Sequence, residues 1–163
     1  MATSETPAPA KKAPSPSITC SLSADPTKNP SDPTAVLIRN TRQPGASTLK
    51  GPGATFTGDV WIDMAHRDPD TMMGNVMFTP CARTHWHSHE RGQFIKVVAG
   101  SGWLCDRGAA PQRLHVGDVA WCPPGTVHWH GADDESCMMH FVVAHGKTEW
   151  MEPVSEEEYA KRK

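Results

Sequence analysis

The chain lacks the marks of several large protein classes. No apolar run approaches the roughly 18–20 residues a membrane-spanning helix needs. Basic residues are not in excess: 16 Lys plus Arg stand against 18 Asp plus Glu, a formal net charge of −2. That balance excludes the broadly basic surface of a protein that tracks phosphate backbones. The first residues offer Lys11 and Lys12 but no apolar core behind them, and Arg is missing before Arg39, so neither a secretory signal nor a transit peptide is expected. There is no internal repeat and no nucleotide-binding Gly motif. The five Cys include no Cys-x-x-Cys pair, so a disulfide framework is not expected and the reducing cytoplasm is the default location.

What the sequence does have is proline at its start and histidine in its middle. Seven of fifteen prolines precede residue 34, in a stretch of Ala, Ser and Thr with almost no bulky apolar side chains. Such a stretch cannot bury enough surface to offset chain entropy, so residues 1–34 are expected to form a disordered tail and residues 35–163 one domain. From Val36 onward short β-prone runs alternate with Gly and Pro. Strands are expected at Val60–Met64, Asn75–Phe78, Gln93–Val98, Trp103–Asp106, Asp118–Cys122, Val127–Gly131 and Cys137–Ala144. Turns are expected at Asp68-Pro69-Asp70, Gly100-Ser101-Gly102 and Pro123-Pro124-Gly125, and a loop at Met72 and Met73. Many short strands at regular spacing predict an all-β sandwich or barrel. One helix is expected, over Ser155–Lys163, because Ser155 three residues before Glu158 makes a capping box.

Six of the nine His fall in two windows, His85, His87 and His89, then His128, His130 and His140. Residues two apart in a strand share a face, so His87 and His89 can converge on one inward point. Neutral imidazoles suit first-row divalent metals. Gln93 keeps the same parity and offers an amide oxygen, and His128 follows a tight turn from a remote segment. A single His-x-His also arises by chance clustering. His130 lies on the His128 face by parity, whereas His140 sits in an apolar strand where a buried neutral His is common. Trp86 and Trp129 alternate with the His and belong to the outer face, in packing between sheets or subunits.

The spacing is more specific than the count. His87-Ser88-His89, three residues, Gln93, six residues and Gly100 resemble the first motif of the cupins, with Gln where most members carry Glu. Gly117, five residues, Pro123, one residue, Gly125, two residues and His128 resemble the second, with Ala132 where an Asn often ends it. The resemblance implies a jelly-roll β-barrel and a metal held by His87, His89, Gln93 and His128. Phe56-Thr57-Gly58, Ala82-Arg83-Thr84, Gly92-Gln93, His128 through Ala132, and the ending Trp150 through Tyr159 are similar to the manganese-dependent bacterial cupin hydroxynitrile lyases, from about Gly51 to Tyr159. That likeness implies a pocket including Thr84, His130 and His140, with a neighbouring His taking the proton of a cyanohydrin hydroxyl. His85 has no firm counterpart and is open between a base behind the ligands, a fifth ligand and a solvated residue. Ala144 stands where some relatives carry a polar group.

With Gln in place of Glu, a divalent metal keeps its full charge against uncharged ligands, which favours Lewis-acid work on a carbonyl or hydroxyl oxygen. The expected cofactor is one divalent metal per subunit, Mn first and Fe next, with Ni, Co and Zn compatible. The expected activity is a metal-dependent lyase acting on a small hydroxylated or carbonyl substrate, with cyanohydrin cleavage the most specific form. An Fe- or Ni-dependent dioxygenase, an isomerase or dehydratase of secondary metabolism, and a non-catalytic small-ligand or metal-binding cupin are the alternatives. A small-molecule substrate, neither nucleic acid nor membrane, and a homodimer or homotetramer complete the expectation.

Overall fold

The structure is a computed structural model that describes residues 35–163. The tail expected over residues 1–34 lies outside the described residues. The described chain is all-β apart from a 3-10 turn at Arg39–Thr41 and one short helix. Its strands are β1 (Leu49–Lys50), β2 (Phe56–Thr57), β3 (Val60–Arg67), β4 (Thr71–Phe78), β5 (Arg83–Thr84), β6 (His87–His89) and β7 (Gln93–Asp106). They continue as β8 (Gln112–His115), β9 (Val119–Cys122), β10 (His128–Ala132), β11 (Met138–His145) and β12 (Thr148–Trp150), and α1 (Glu156–Ala160) closes the chain. Among the described residues no helix is long and apolar enough to cross a membrane.

All pairings are antiparallel, and β7 organises them. Its first part pairs with β9 and β11, and β11 leads on to β4, β3 and β1. Its second part pairs with β8 and β10, and β10 carries β5 and β6, which in turn hold β2 and β12. One strand therefore belongs to both halves of a curled sheet. The segment Gly100-Ser101-Gly102, expected as a turn, is instead where this continuous strand bends. Gly100 has φ 71° and passes so close to β11 that an added Cβ would lie 1.8 Å from the Cys137 carbonyl oxygen. Turn-forming residues here bend a strand between two sheet halves rather than end it.

The period of two decides what each strand buries. β11 alternates strictly, with Met138, His140, Val142 and Ala144 inward and buried, and Met139, Phe141, Val143 and His145 half-buried on the other face. In β4, Gly74, Val76 and Phe78 are buried while Met73, Asn75 and Met77 face out. Met72 and Met73, expected in a loop, are thus strand residues; the β3–β4 turn is the Asp68–Asp70 segment before them. Phe78, Ile95, Val97, Leu104, Met138 and Val142 form the inner core. Each contributes about 1.5–3 kcal/mol by leaving water.

A second cluster lies behind β10, where Trp86, Trp129, Val154 and Tyr159 pack together. This explains the outward Trp at 86 and 129: the C-terminal segment covers them. The capping box of α1 forms as expected, with Ser155 Oγ accepting from Glu158 N and Glu158 reaching back to Ser155 N. The helix is shorter than expected and stops at Ala160, so Lys161, Arg162 and Lys163 lie beyond it. Tyr159 donates to the Ala132 carbonyl oxygen at 2.8 Å. Its ring is stacked between the guanidinium groups of Arg83 (4.4 Å) and Arg162 (3.6 Å). The four described cysteines, Cys81, Cys105, Cys122 and Cys137, are free.

Candidate metal centre

Strands β6, β10 and β11 and one end of β7 bring the histidines together. β6 supplies His87 and His89, β10 supplies His128 and His130, β11 supplies His140, and β7 opens on Gln93. His87 and His128 face each other directly in the β6–β10 pairing. Their rings lie 4.3 Å apart, and the His87–His89 and His87–His130 rings 5.1 and 5.2 Å apart. All of these side chains are buried.

Hydrogen bonds outside the cluster fix how the rings point. His87 Nδ1 lies 3.0 Å from the His85 carbonyl oxygen and His128 Nδ1 2.9 Å from the Thr126 carbonyl oxygen. A carbonyl only accepts, so each Nδ1 carries its hydrogen and each Nε2 presents a lone pair to the interior. His89 Nδ1 is held at 3.1 Å by the Thr148 hydroxyl, and its buried Nε2 has no partner. Gln93 Oε1 lies 2.9 Å from His128 Nε2. Two lone-pair atoms at that distance repel unless a cation or proton sits between them. Outer atoms anchored and inner lone pairs convergent are what a divalent metal requires, so these residues fit one. The nitrogens of His87, His128 and His130 all lie within 4.8 Å of one another, so these three could hold an ion together. Strand parity admits both His89 and His130; it is the resemblance to the first cupin motif that groups His89 rather than His130 with the ligands.

His130 Nδ1 meets His140 Nε2 at 3.2 Å, leaving His130 Nε2 and His140 Nδ1 buried without partners. Thr84 Oγ1 accepts from the His130 backbone N–H at 3.1 Å and keeps its own hydrogen for the interior. Burial holds every one of these imidazoles neutral. His87 and His130 fall well below the usual histidine range through burial first, then through neighbouring rings. Burial pushes His89 and His140 down to about 4, and lowers His128 as well. Neutral rings are the form that binds a metal or accepts a proton.

The site forms one end of a cavity of about 660 Å³. Thr84, His87, His89, Gln93, His130 and His140 line its polar end. Phe56, Ile62, Met64, Met72, Val76, Val142, Ala144 and Trp150 give it apolar walls. His85 is not among the lining residues. It is buried, its N–H donates to Thr55, and its contribution to the site is the carbonyl that orients His87. His66, His115 and His145 stay outside the cluster, beside Asp68, Asp118 and Thr71. Two contributors escape sequence reasoning. Thr148 orients His89, and Trp150, noted only within a matching C-terminal ending, stacks on His87 at 4.7 Å.

Residues 74–145, spanning both histidine windows, match the Cupin domain family. A curated relative, the (R)-mandelonitrile lyase of Granulicella tundricola, is 44% identical over 117 residues, covering 68% of this chain and 89% of that protein. The chain is a cupin. Among solved structures, a cupin-like protein from Thermotoga maritima is 41% identical with a TM-score of 0.67, covering 69% of this cupin and 91% of its own chain. A cupin 2 conserved barrel domain protein from Rhodopseudomonas palustris shares the fold, at 16% identity and a TM-score of 0.56, over 72% of this cupin and 83% of that chain.

Proposed function

We propose that this cupin is a metal-dependent lyase that cleaves a cyanohydrin, or a chemically similar small hydroxylated substrate, into a carbonyl compound and the departing carbon nucleophile. His87, His89, Gln93 and His128 would hold the metal, with Mn our first assignment and Fe the next. A divalent ion bound there supplies Lewis-acid polarisation of a hydroxyl or carbonyl oxygen. The observation that carries the reading is His130 Nε2, a wholly buried nitrogen with no partner, beside the proposed ligands and on the cavity wall. The relative named (R)-mandelonitrile lyase supplies the substrate class.

The side chains account for the proton. With Nδ1–H of His130 donated to His140 Nε2, His130 Nε2 carries a lone pair and takes the proton of the substrate hydroxyl. The oxygen's electrons form the carbonyl, the carbon–carbon bond breaks, and its electron pair leaves as cyanide. His130 then returns the proton to cyanide, so atoms and charge balance. His140 stabilises the transient imidazolium by accepting its Nδ1–H, and the Thr84 hydroxyl, on the same cavity wall, would donate to the reacting oxygen. The apolar walls suit an aryl or alkyl body.

The test is benzaldehyde release from (R)-mandelonitrile at mildly acidic pH, with Mn-loaded protein and subtraction of spontaneous decay. His130→Ala should lower kcat by about 10²–10⁴-fold with metal content unchanged. Wild-type protein that releases nothing above background overturns the cyanohydrin reading. A His130→Ala protein that loses its metal makes His130 a ligand and overturns the base assignment.

A further inference from the structure

The cavity of about 660 Å³ has the size that takes a drug-sized ligand, and mandelonitrile, one ring with a short side chain, would fill only part of it. Its floor can be followed strand by strand from the donor cluster outward. Gln93 on β7 pairs with Ala144 on β11, Ala144 with Met72 on β4, and Met72 with Arg67 at the end of β3. All four of these residues line the cavity. Three strand spacings, about 14 Å along the sheet at the usual separation, lie between the Gln93 and Arg67 backbones. The row runs amide, methyl, thioether, guanidinium. It is polar at the proposed metal, apolar in the middle and cationic at the far end.

A second cation lines the same cavity. Lys147 stands in the link between β11 and β12, just before Thr148. Arg67 and Lys147 are both exposed, and neither makes an ion pair among the described residues. The acids around them are already engaged. Asp68 also lines the cavity, but its Oδ1 accepts from the Asp70 and Thr71 backbone N–H groups at 2.8 and 2.7 Å, and its Oδ2 lies 2.8 Å from His66 Nε2. Asp70 pairs with Arg91, and Glu90 accepts from the Lys147 backbone N–H at 3.0 Å. Two cations thus share with the donor cluster a cavity whose one lining carboxylate is occupied.

We propose that the substrate of this cavity carries a carboxylate at the end away from its reacting oxygen, and that Arg67 and Lys147 select it. The planar fork of a guanidinium matches the two oxygens of a carboxylate, and the Lys147 ammonium adds a point charge. The body of the substrate lies between, against Met72, Ile62 and Val142. The substrate is then an amphipathic hydroxy compound rather than a wholly apolar one. This deepens the lyase reading and rests on it for the end at which the hydroxyl reacts. The grip on the anion is independent of which bond breaks.

The experiment compares anionic and neutral isosteres on the Mn-loaded full chain. The probes are the cyanohydrins of para-carboxybenzaldehyde and of its biphenyl homologue, each beside its carboxamide. In at least one pair the carboxylate should show a kcat/KM about ten-fold above its carboxamide, an advantage that shrinks as salt is raised. Arg67→Gln combined with Lys147→Gln should abolish that advantage. The ratio is taken within each variant, so a general loss of activity or of folded protein cancels. Turnover without preference for the anion, or a preference that survives the double substitution, overturns the proposal and leaves the lyase reading standing. If no cyanohydrin is turned over, the lyase reading fails and calorimetric titration of the parent aldehydes decides. Tighter binding of a carboxylate that the double variant loses upholds the grip; equal, weaker or absent binding overturns it.

Discussion

His89 depends on one hydroxyl. Its ring has no carbonyl behind it, unlike His87 and His128, and only Thr148 Oγ1 at 3.1 Å fixes the direction of its Nε2. Groups that orient a ligand from behind are worth about 10–100-fold in metal affinity. Thr148→Val preserves the shape and removes the bond, so it should weaken Mn binding by about that factor, beyond the roughly 1 kcal/mol that the lost bond costs the metal-free protein. Competition with a chelator of known affinity measures it; unchanged affinity would show that His89 is either no ligand or not held through Thr148. The same site shows which residues a sequence can reveal. His87, His89, Gln93, His128 and His130 share strand parity and fixed motif spacing, so their convergence is legible in the order of the residues alone. Thr148 lies 59 residues from the ring it orients, and a lone Thr at that separation carries no pattern. His85 shares the parity and still misses the cavity, because it lies in the break between β5 and β6, where the chain bends at Trp86 and gives the site its carbonyl rather than its ring.

Elements follow the same division. The long strands are readable because their inward and outward residues alternate, as in β11, where His140 takes an inward place among Met138, Val142 and Ala144. β1, β2, β5, β6, β8 and β12 run for only two to four residues, too short for alternation to register, yet β5, β6 and β12 carry Thr84, two histidines, Thr148 and Trp150. The helix is legible through its cap, and its role is not. α1 has Tyr159 as its one buried residue and uses it to hold β10 through the Ala132 carbonyl, while Arg83 bonds Glu156 at 2.6 Å. Arg83 neighbours Thr84, and Gly131, opposite Arg83, follows His130, so the helix braces the strands on which the proposed base is mounted. Tyr159→Phe leaves that buried carbonyl short of a donor and should cost about 1–2 kcal/mol in urea unfolding. A loss within a few tenths would mean that α1 packs by its ring alone.

At the scale of the whole molecule, burying so many imidazoles makes stability depend on pH. His140 is wholly buried and its pKa is pushed down to about 4, whereas in the unfolded chain it returns to about 6.5. Below pH 6.5 the unfolded chain binds a proton that the folded one refuses, so stability falls as pH falls, until the folded protein also protonates near 4. His140 alone accounts for a loss of up to about 3 kcal/mol over that window. Urea unfolding of the chelator-treated protein at pH 7, 5.5 and 4.5 should show it, with a shallower decline in His140→Gln; equal slopes would remove His140 as the cause. A different consequence follows from β7. That strand starts at Gln93, bends at Gly100 and ends at Asp106 opposite His128, so a single run of backbone touches the proposed donor set at both ends. Were it to thread one residue out of step, Gln93 would turn to the outer face and His128 would lose its neighbour together. A misthreaded chain could not assemble the donors, so metal capture during maturation would select for the correctly threaded chain.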